Sequence, residues 1–166
     1  MNKMKSSVLL CLVYAIACIA PVSQAEGLKS VKDFRIEAKE SDQKKAPILV
    51  LFMSQTCRYC EIVLQDFLLP MQRDHEYDKK VILRQIEYNS KKQLVDFNGN
   101  VTTQSAFASK NKVWAVPTII LFDSQGNELT KIVGLLTVDY YSVYLDEAIN
   151  MSQEKIKSSV HSSHTK

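Results

Sequence analysis

Cys57 and Cys60 are the residues of this chain whose type and spacing could carry out a reaction. Two thiols with two residues between them can bind a metal, form a structural disulfide or exchange electrons with another disulfide. A structural disulfide normally closes a longer loop, because the gain in chain entropy grows with loop length. Zinc needs four ligands, and the sequence has no second pair of this spacing to complete a site. Dithiol exchange is therefore the favoured chemistry.

The residues around the pair predict how the two thiols are positioned. Residues 47–53 are a continuous apolar run, typical of a strand that is covered on both faces of a parallel sheet. After this run the apolar residues recur with a helical period, which places Cys57 at the N-terminus of a helix and Cys60 one turn deeper. Unpaired backbone N–H groups at a helix start favour a thiolate. We expect Cys57 to be the attacking thiol and Cys60 the shielded resolving thiol.

The rest of the chain predicts the scaffold of an α/β domain. Four segments have the apolar patterns of strands: residues 47–53, 81–86, 116–122 and 128–133. Four segments have the apolar period of helices: residues 28–43, 57–71, 103–110 and 138–151. A helix between the first two strands implies a right-handed parallel crossover, and a short turn between the last two implies a hairpin. The expected architecture is a central mixed sheet of about four strands flanked by helices.

The N-terminus has the pattern of an export signal. Lys3 and Lys5 precede an apolar run of about 13 residues, which is followed by Pro21 and by Ser23-Gln24-Ala25. We expect residues 1–25 to be a signal peptide that is cleaved after Ala25, so that the protein is exported to the periplasm. The run is shorter than the roughly 20 residues that span a bilayer, so a membrane tether is the less favoured interpretation.

Composition and charge limit the remaining possibilities. The 166 residues are 46% hydrophobic and 23% charged, which fits one globular domain. Removal of residues 1–25, which hold two lysines and no acidic residue, leaves a net charge of +1. A charge this small gives no reason to expect nucleic-acid binding. We predict a domain over residues 26–152 and a polar, frayed tail over residues 153–166.

These features together resemble the thioredoxin fold and, within it, the secreted bacterial thioredoxin-like proteins. The resemblance spans residues 47–151 and rests on the strand that leads into Cys57, on Val116-Pro117-Thr118 and on Gly134 before the last helix. It implies that the Val116–Pro117 peptide bond is cis and lies beside Cys57. It also implies that Val116 offers its backbone groups to an extended substrate chain.

The residues inside the pair depart from thioredoxin itself, which has Gly-Pro where this chain has Arg58-Tyr59. Arg58 is expected to stabilise the neighbouring thiolate by its charge. A Tyr directly before the second Cys resembles the glutaredoxins and the periplasmic disulfide isomerases, and we count Arg58 and Tyr59 as candidate substrate-binding residues. The buried Asp of thioredoxin, nine residues before the second Cys, is Leu51 here. That acid helps to move a proton from the buried thiol, so its absence argues against efficient thioredoxin-like reduction.

We therefore expect a monomeric thiol–disulfide oxidoreductase that reduces or isomerises protein disulfides in the cell envelope and needs no metal or organic cofactor. Its partners would be protein or small-molecule disulfides and dithiols, and an unidentified redox partner that recycles the pair. The alternative is a redox-inert binding module of the same fold, such as a copper-delivery or assembly factor, with Met53 as the nearest additional soft ligand. Trp114, three residues before Pro117, is expected either to line a peptide groove or to cover the sheet edge.

Overall fold

A computed structural model describes residues 27–135 and 137–163, so the predicted signal peptide lies outside the described residues. The described strands are β1 (Ile48–Met53), β2 (Ile82–Glu87), β3 (Gln93–Val95), β4 (Val101–Thr103), β5 (Thr118–Phe122) and β6 (Glu128–Val133). The described helices are α1 (Phe34–Lys44), α2 (in three segments, Arg58–Ile62, Val63–Leu68 and Leu69–Arg73), α3 (Gln104–Lys110) and α4 (Tyr141–Ser163).

The central sheet has the strand order β2-β1-β5-β6. β1 is parallel to β2 and antiparallel to β5, and β6 is antiparallel to β5. β1 is thus an inner strand, which explains its continuous apolar sequence: every residue from Ile48 to Phe52 is buried. The mixed four-stranded sheet with flanking helices confirms the expected architecture.

Alternate residues of β1 supply two apolar layers, one on each face of the sheet. Leu49 and Leu51 belong to the layer formed with α2 and α4. Val50 and Phe52 belong to the layer formed with α1 and α3. In the second layer Phe34 stacks on Phe107, with ring centroids 4.6 Å apart. The sheet that carries the dithiol is therefore fixed from both sides.

The first helix begins later than the sequence predicted. α1 starts at Phe34, after Asp33, whose side chain accepts a hydrogen bond from the Arg35 backbone N–H as an N-cap. Residues 28–33, expected to be helical, form no helix: Ser30 makes an isolated parallel bridge with Gln85 of β2, and Asp33 makes one with Val95 of β3. The apolar residues of this segment, whose spacing suggested a helix, lie instead against β2, an edge strand of the sheet.

Helix α2 contains a π-helical segment, Val63–Leu68, that the sequence period did not reveal. The Leu69 backbone N–H donates to the carbonyl of Leu64, five residues back. Pro70 follows directly and has no N–H to continue the ordinary i to i−4 pattern. The wider turn accommodates this break without ending the helix, so α2 runs from the dithiol to Arg73.

The final helix extends beyond its predicted end. α4 begins at Tyr141 rather than at residue 138 and continues to Ser163. The prediction of a frayed tail over residues 153–166 is therefore wrong for residues 153–163, which are helical, and residues 164–166 lie outside the described residues. This stretch contains neither Gly nor Pro, and Glu154 and Lys157 form an ion pair one turn apart at 2.8 Å. Among the described residues, no helix has both the length and the apolar composition needed to cross a bilayer.

Candidate functional site: the Cys57–Cys60 pair

The dithiol lies where the central strand passes into helix α2. Residues 54–56 link β1 to Cys57, and the Cys57 backbone N–H donates to the carbonyl of Ser54 at 3.1 Å, which closes a tight turn. Cys57 has extended backbone angles and is the N-cap of α2. The sequence predicted this position from the change of apolar period alone.

The two cysteines differ in burial and form a disulfide. Their sulfurs are 2.17 Å apart and their Cα atoms 5.2 Å apart. Cys57 is half-buried, whereas Cys60 has 0% of its surface exposed. The Cys60 backbone N–H donates to Cys57 Sγ at 3.1 Å. A sulfur that receives an N–H at the start of a helix is placed where negative charge is stabilised, so the geometry favours Cys57 as the thiolate.

Arg58 and Tyr59 point to solvent at the entrance of the site. Tyr59 is 63% exposed, and Arg58 is also exposed. Within the described residues Arg58 has no ion-pair partner, so its charge is available to the neighbouring sulfur or to an anionic group of a substrate. Neither residue contributes to the core, which leaves both accessible to a substrate.

The Val116–Pro117 step lies at the same end of the sheet as the dithiol, and its peptide bond is cis. Thr118 pairs with Phe52 of β1, so Pro117 lies level with the end of β1, from which the chain passes to Cys57. Pro117 is buried and its carbonyl accepts the Gly134 N–H at 2.8 Å. Val116 is half-buried, and its backbone N–H and carbonyl form no hydrogen bond within the described residues. These groups are free to pair with another extended chain.

No carboxylate occupies the buried position where thioredoxin has its Asp. Leu51 is fully buried there, in register with Ile119 of β5 and Gln85 of β2. The two buried carboxylates of the described chain are used elsewhere: Glu37 pairs with Arg84, and Asp96 accepts hydrogen bonds within its own turn. The surroundings of β1 thus supply no acid at this position to accept a proton from Cys60.

The alternative metal-binding interpretation gains no support from the residues near the pair. The described part of the chain contains no group of three or more His, Cys, Asp or Glu side chains that could hold a metal ion. Met53, the additional ligand that the sequence suggested, is partly buried and packs against the apolar layer of α2 and α4. Its side chain therefore belongs to the strand rather than to a ligand set with the two sulfurs.

Sequence reasoning missed a polar cleft beside the site. A cavity of about 150 Å³ opens at the carboxyl ends of β1 and β2 and is lined by Gln55, Glu87 and Gln104, among others. Gln55 donates to the Glu87 carboxylate at 3.3 Å, and the Gln104 side-chain carbonyl accepts the Glu87 backbone N–H at 3.0 Å. The only signal in the sequence was the position of two polar residues at the carboxyl ends of parallel strands, where open sheets commonly bind ligands: Gln55 comes two residues after β1, and Glu87 is the last residue of β2.

Comparison with known proteins agrees with this geometry. The family model described as a thioredoxin-like domain matches residues 34–149. Thioredoxin from Plasmodium falciparum is 14% identical, with a TM-score of 0.50 over 74% of this chain and 97% of its own. Thioredoxin from Fasciola hepatica is 18% identical, with a TM-score of 0.49 over the same shares. The search of curated proteins found no significant match. The match to the family model covers more than half of the sequence and includes the dithiol, so the chain belongs to the thioredoxin-like domain family.

Proposed function

We propose that this protein is an exported thiol–disulfide oxidoreductase of the cell envelope that acts through Cys57 and Cys60. The observation that carries the proposal is the asymmetry of the pair: Cys57 is accessible at a helix N-terminus, and Cys60 is wholly buried one turn further on. Exchange requires one thiolate that reaches a substrate and a second thiol that meets only the first. A pair that served only as a structural cross-link would not need this difference.

In the reducing direction, the Cys57 thiolate attacks one sulfur of a substrate disulfide. The other substrate sulfur leaves as a thiolate, and Cys57 is joined to the substrate in a mixed disulfide. Cys60, deprotonated, then attacks Cys57 Sγ, which releases the second substrate sulfur as a thiolate. The substrate gains two electrons and the protein is left with the Cys57–Cys60 disulfide seen in the structure. A separate redox partner must return these two electrons, and the reverse sequence would oxidise a substrate.

Four residues at the entrance would hold the substrate or prepare the attacking thiolate during exchange. The free backbone N–H and carbonyl of Val116 can pair with an extended polypeptide, and Pro117 fixes this segment against the end of β1. Arg58 stabilises the thiolate of Cys57 by its positive charge, and Tyr59 offers an exposed ring to the substrate. With Leu51 in place of an acid, deprotonation of Cys60 relies on solvent or on the departing substrate thiolate. We therefore expect slow resolution of the mixed disulfide.

Insulin reduction by the purified protein in the presence of dithiothreitol tests the chemistry. Cys57→Ser should reduce the catalysed rate at least about 1,000-fold, because no attacking thiolate remains. Cys60→Ser should accumulate a mixed disulfide with insulin chains, visible by intact mass and released by excess dithiothreitol. The Cys57→Ser/Cys60→Ser double variant, which should form no adduct, is the matched control. A wild-type protein with no activity on insulin or on glutathione disulfide would overturn the proposal.

The export part of the proposal has a separate test. When all 166 residues are expressed in a bacterium with a periplasm, the intact mass of the exported protein should be that of a chain whose first residue is Glu26. Retention of Lys3 and Lys5, or a lipid attached to Cys18, would contradict cleavage after Ala25. This result is independent of the exchange assay, so each part of the proposal can fail alone.

A further inference from the structure

Trp114 is the only tryptophan of the chain, and 78% of its side chain is exposed. A ring of this size is normally buried at least in part, because its apolar surface dominates the energetics of cores and interfaces. Among the exposed apolar residues of the described chain, Trp114 has the largest exposed fraction. Its position three residues before Pro117, which lies level with the end of β1, makes it of interest beyond its exposure alone.

The segment that carries Trp114 is anchored at both ends. On one side the buried Val113 donates its N–H to the carbonyl of Ala108 at 3.0 Å, and Lys112 takes a left-handed conformation with φ of 54° to make this possible. On the other side the Thr118 hydroxyl donates to the carbonyl of Ala115 at 2.8 Å. Trp114 lies between these two anchors. The backbone therefore holds the ring in solvent, and its exposure does not result from a loose loop.

The same segment borders the dithiol. It leads through Val116 into Pro117, which lies level with the end of β1 and hence with the turn that carries Cys57. The backbone N–H groups of Trp114 and Val116 form no hydrogen bond within the described residues. Tyr59, between the two cysteines, is a second exposed ring at this end of the sheet. An extended chain that paired with Val116 while presenting its cysteine to Cys57 would continue along the segment that carries Trp114.

We propose that Trp114 is a specificity-determining residue that binds an apolar, preferably aromatic, side chain next to the cysteine of an extended polypeptide substrate. The inference rests on the proposed function and names the substrate class of the same site. A rigid indole ring offers a large contact area at low entropic cost, and pairs of aromatic rings gain energy beyond the area they bury. Unfolded or partly folded chains expose many of the aromatic residues that folding buries, whereas a small disulfide such as glutathione disulfide has no aromatic group to occupy this position.

The test compares two peptide disulfides that differ in one residue. Each is an extended peptide with one disulfide, with Phe beside the reacting cysteine in the first and Ser in the second; glutathione disulfide is the third substrate. Reduced wild-type protein, Trp114→Ala and Met151→Ala are each mixed with the three substrates, and the second-order rate of reduction is measured. Met151 is the matched control because it is 55% exposed on α4, next to Ser152, which bonds to Thr130 in the middle of β6.

We expect Trp114→Ala to lower the rate with the Phe peptide about tenfold, the size of a moderate interface hot spot. Its rates with the Ser peptide and with glutathione disulfide should change less than about twofold, and Met151→Ala should change none of the three. A loss of tenfold on all three substrates would indicate that Trp114 supports the fold or the dithiol, and would overturn the specificity role. Equal rates for wild type and Trp114→Ala on the Phe peptide would overturn it as well.

A spectroscopic measurement gives a second, direct readout. In the Cys60→Ser variant the mixed disulfide persists, and Trp114 is the only indole that can report on it. Attachment of the Phe peptide should shift the fluorescence emission of Trp114 to shorter wavelength, because the ring leaves water, whereas the Ser peptide should not. An adduct with the Phe peptide that leaves the emission unchanged would contradict the contact. If neither peptide nor glutathione disulfide reacts with the wild-type protein, the proposed function itself has failed, which this design separates from failure of the Trp114 proposal.

Discussion

At the dithiol, apolar rings are exposed and backbone groups lack partners, whereas between α1 and β2 charged side chains are buried and paired. Trp114 lies in solvent, and the backbone of Val116 has no hydrogen bond within the described residues. In the second region, Arg84 of β2 donates to Glu37 at 2.9 Å and to Glu40 at 2.8 Å, and both Arg84 and Glu37 are buried. The first region lies where β1 ends and β5 begins, and the second lies on β2, the other neighbour of β1.

The difference shows which groups the fold can leave without partners. Water satisfies an exposed N–H or carbonyl, so the unpaired groups at Val116 cost little and remain available to a substrate. A buried charge has no such substitute and must be paired within the protein. We therefore expect binding to depend on the first region and stability on the second, and the predictions below test whether the two can be separated.

The largest effect should come from the buried ion pairs. Arg84→Met keeps an apolar chain of similar length but leaves Glu37 buried without its principal cation, so the free energy of unfolding should fall by about 3–5 kcal/mol. Urea unfolding monitored by circular dichroism measures it. Arg35→Met is the control: Arg35 pairs with Asp33 at 2.6 Å but is exposed, so its loss should leave the free energy of unfolding nearly unchanged. Equal losses of unfolding free energy in the two variants would contradict the special role of the buried pairs. A changed rate of disulfide exchange by folded Arg84→Met would contradict the separation of stability from binding.

Much of the site could be predicted from sequence because its signals are local. The apolar run of β1 and the change to a helical period locate Cys57, and the turn over residues 123–127 locates the β5–β6 hairpin. The helix expected over residues 103–110 is confirmed: Thr103 is the N-cap of α3, and its side chain accepts the Ala106 N–H at 3.1 Å. These features are determined by residues only a few positions apart in the sequence. Patterns of residue type are informative over that range.

What the sequence did not reveal depends on distant contacts. Residues 28–33 have helical spacing but form no helix because Ser30 and Asp33 find bridging partners in Gln85 and Val95, more than 50 positions away. Strands β3 and β4 have three residues each, too few to show a period. The exposure of Trp114 likewise follows from anchors on both sides, none of which a pattern of residue types could predict.

A second prediction compares two turns of nearly the same sequence, Asp96–Asn100 and Asp123–Asn127. In each, the first Asp accepts hydrogen bonds from two backbone N–H groups and from the Asn side chain at the end of the turn. Asp96 alone is buried and also accepts a hydrogen bond from Lys110. Burial opposes its ionisation, but these hydrogen bonds outweigh burial and hold the pKa of Asp96 below its ordinary value.

Asp96→Asn should therefore lower the free energy of unfolding at pH 7 by about 1–2 kcal/mol, because the new amide opposes the Lys110 and Asn100 donors. A lowered pKa stabilises the fold above the unfolded value near pH 4 and loses this contribution as the pH falls toward the folded value. The difference between wild type and Asp96→Asn should accordingly shrink as the pH falls below about 4. Asp123→Asn should show a smaller loss of unfolding free energy and a weaker pH dependence. If the free energy of unfolding varied identically with pH in the two variants, the burial of Asp96 would have no part in the effect.

A third prediction concerns the exposed charge at the dithiol. In the proposed function Arg58 stabilises the reduced protein by attracting the Cys57 thiolate, and an attraction of this kind is on the order of 1 kcal/mol for an exposed pair. Arg58→Gln should lower the reduction potential by about 20 mV, since about 30 mV corresponds to 1.4 kcal/mol for two electrons. Equilibration with glutathione buffers measures the potential, and the wild-type value should lie above the roughly −270 mV of thioredoxin.

Two controls connect this result to the comparison. High salt should shrink the effect of Arg58→Gln, because exposed charges are screened within a few ångströms at 1 M ionic strength. Arg84→Met, which removes a charge of the same sign from a buried site, should leave the potential unchanged within error. A drop in potential of equal size in both variants would show that net charge, rather than the position of Arg58, sets the redox poise.

The smallest effect should come from a bond that is intermediate between the two regions. The Tyr77 hydroxyl, partly buried, donates to Asp146 at 2.7 Å and ties the segment after α2 to α4. The Asp146 hydrogen bond, with a further contribution from burial, raises the pKa of Tyr77 to about 12.

Tyr77→Phe should lower the free energy of unfolding by about 0.5–1.5 kcal/mol, the usual net worth of one hydrogen bond. A raised pKa stabilises the fold below the unfolded value near 10 and loses that contribution as the pH rises toward 12, so the difference between wild type and Tyr77→Phe should persist at pH 7 and decline above pH 10. A difference that stays constant from pH 7 to pH 11.5 would mean that the ring contact, not the hydroxyl, carries the stabilisation.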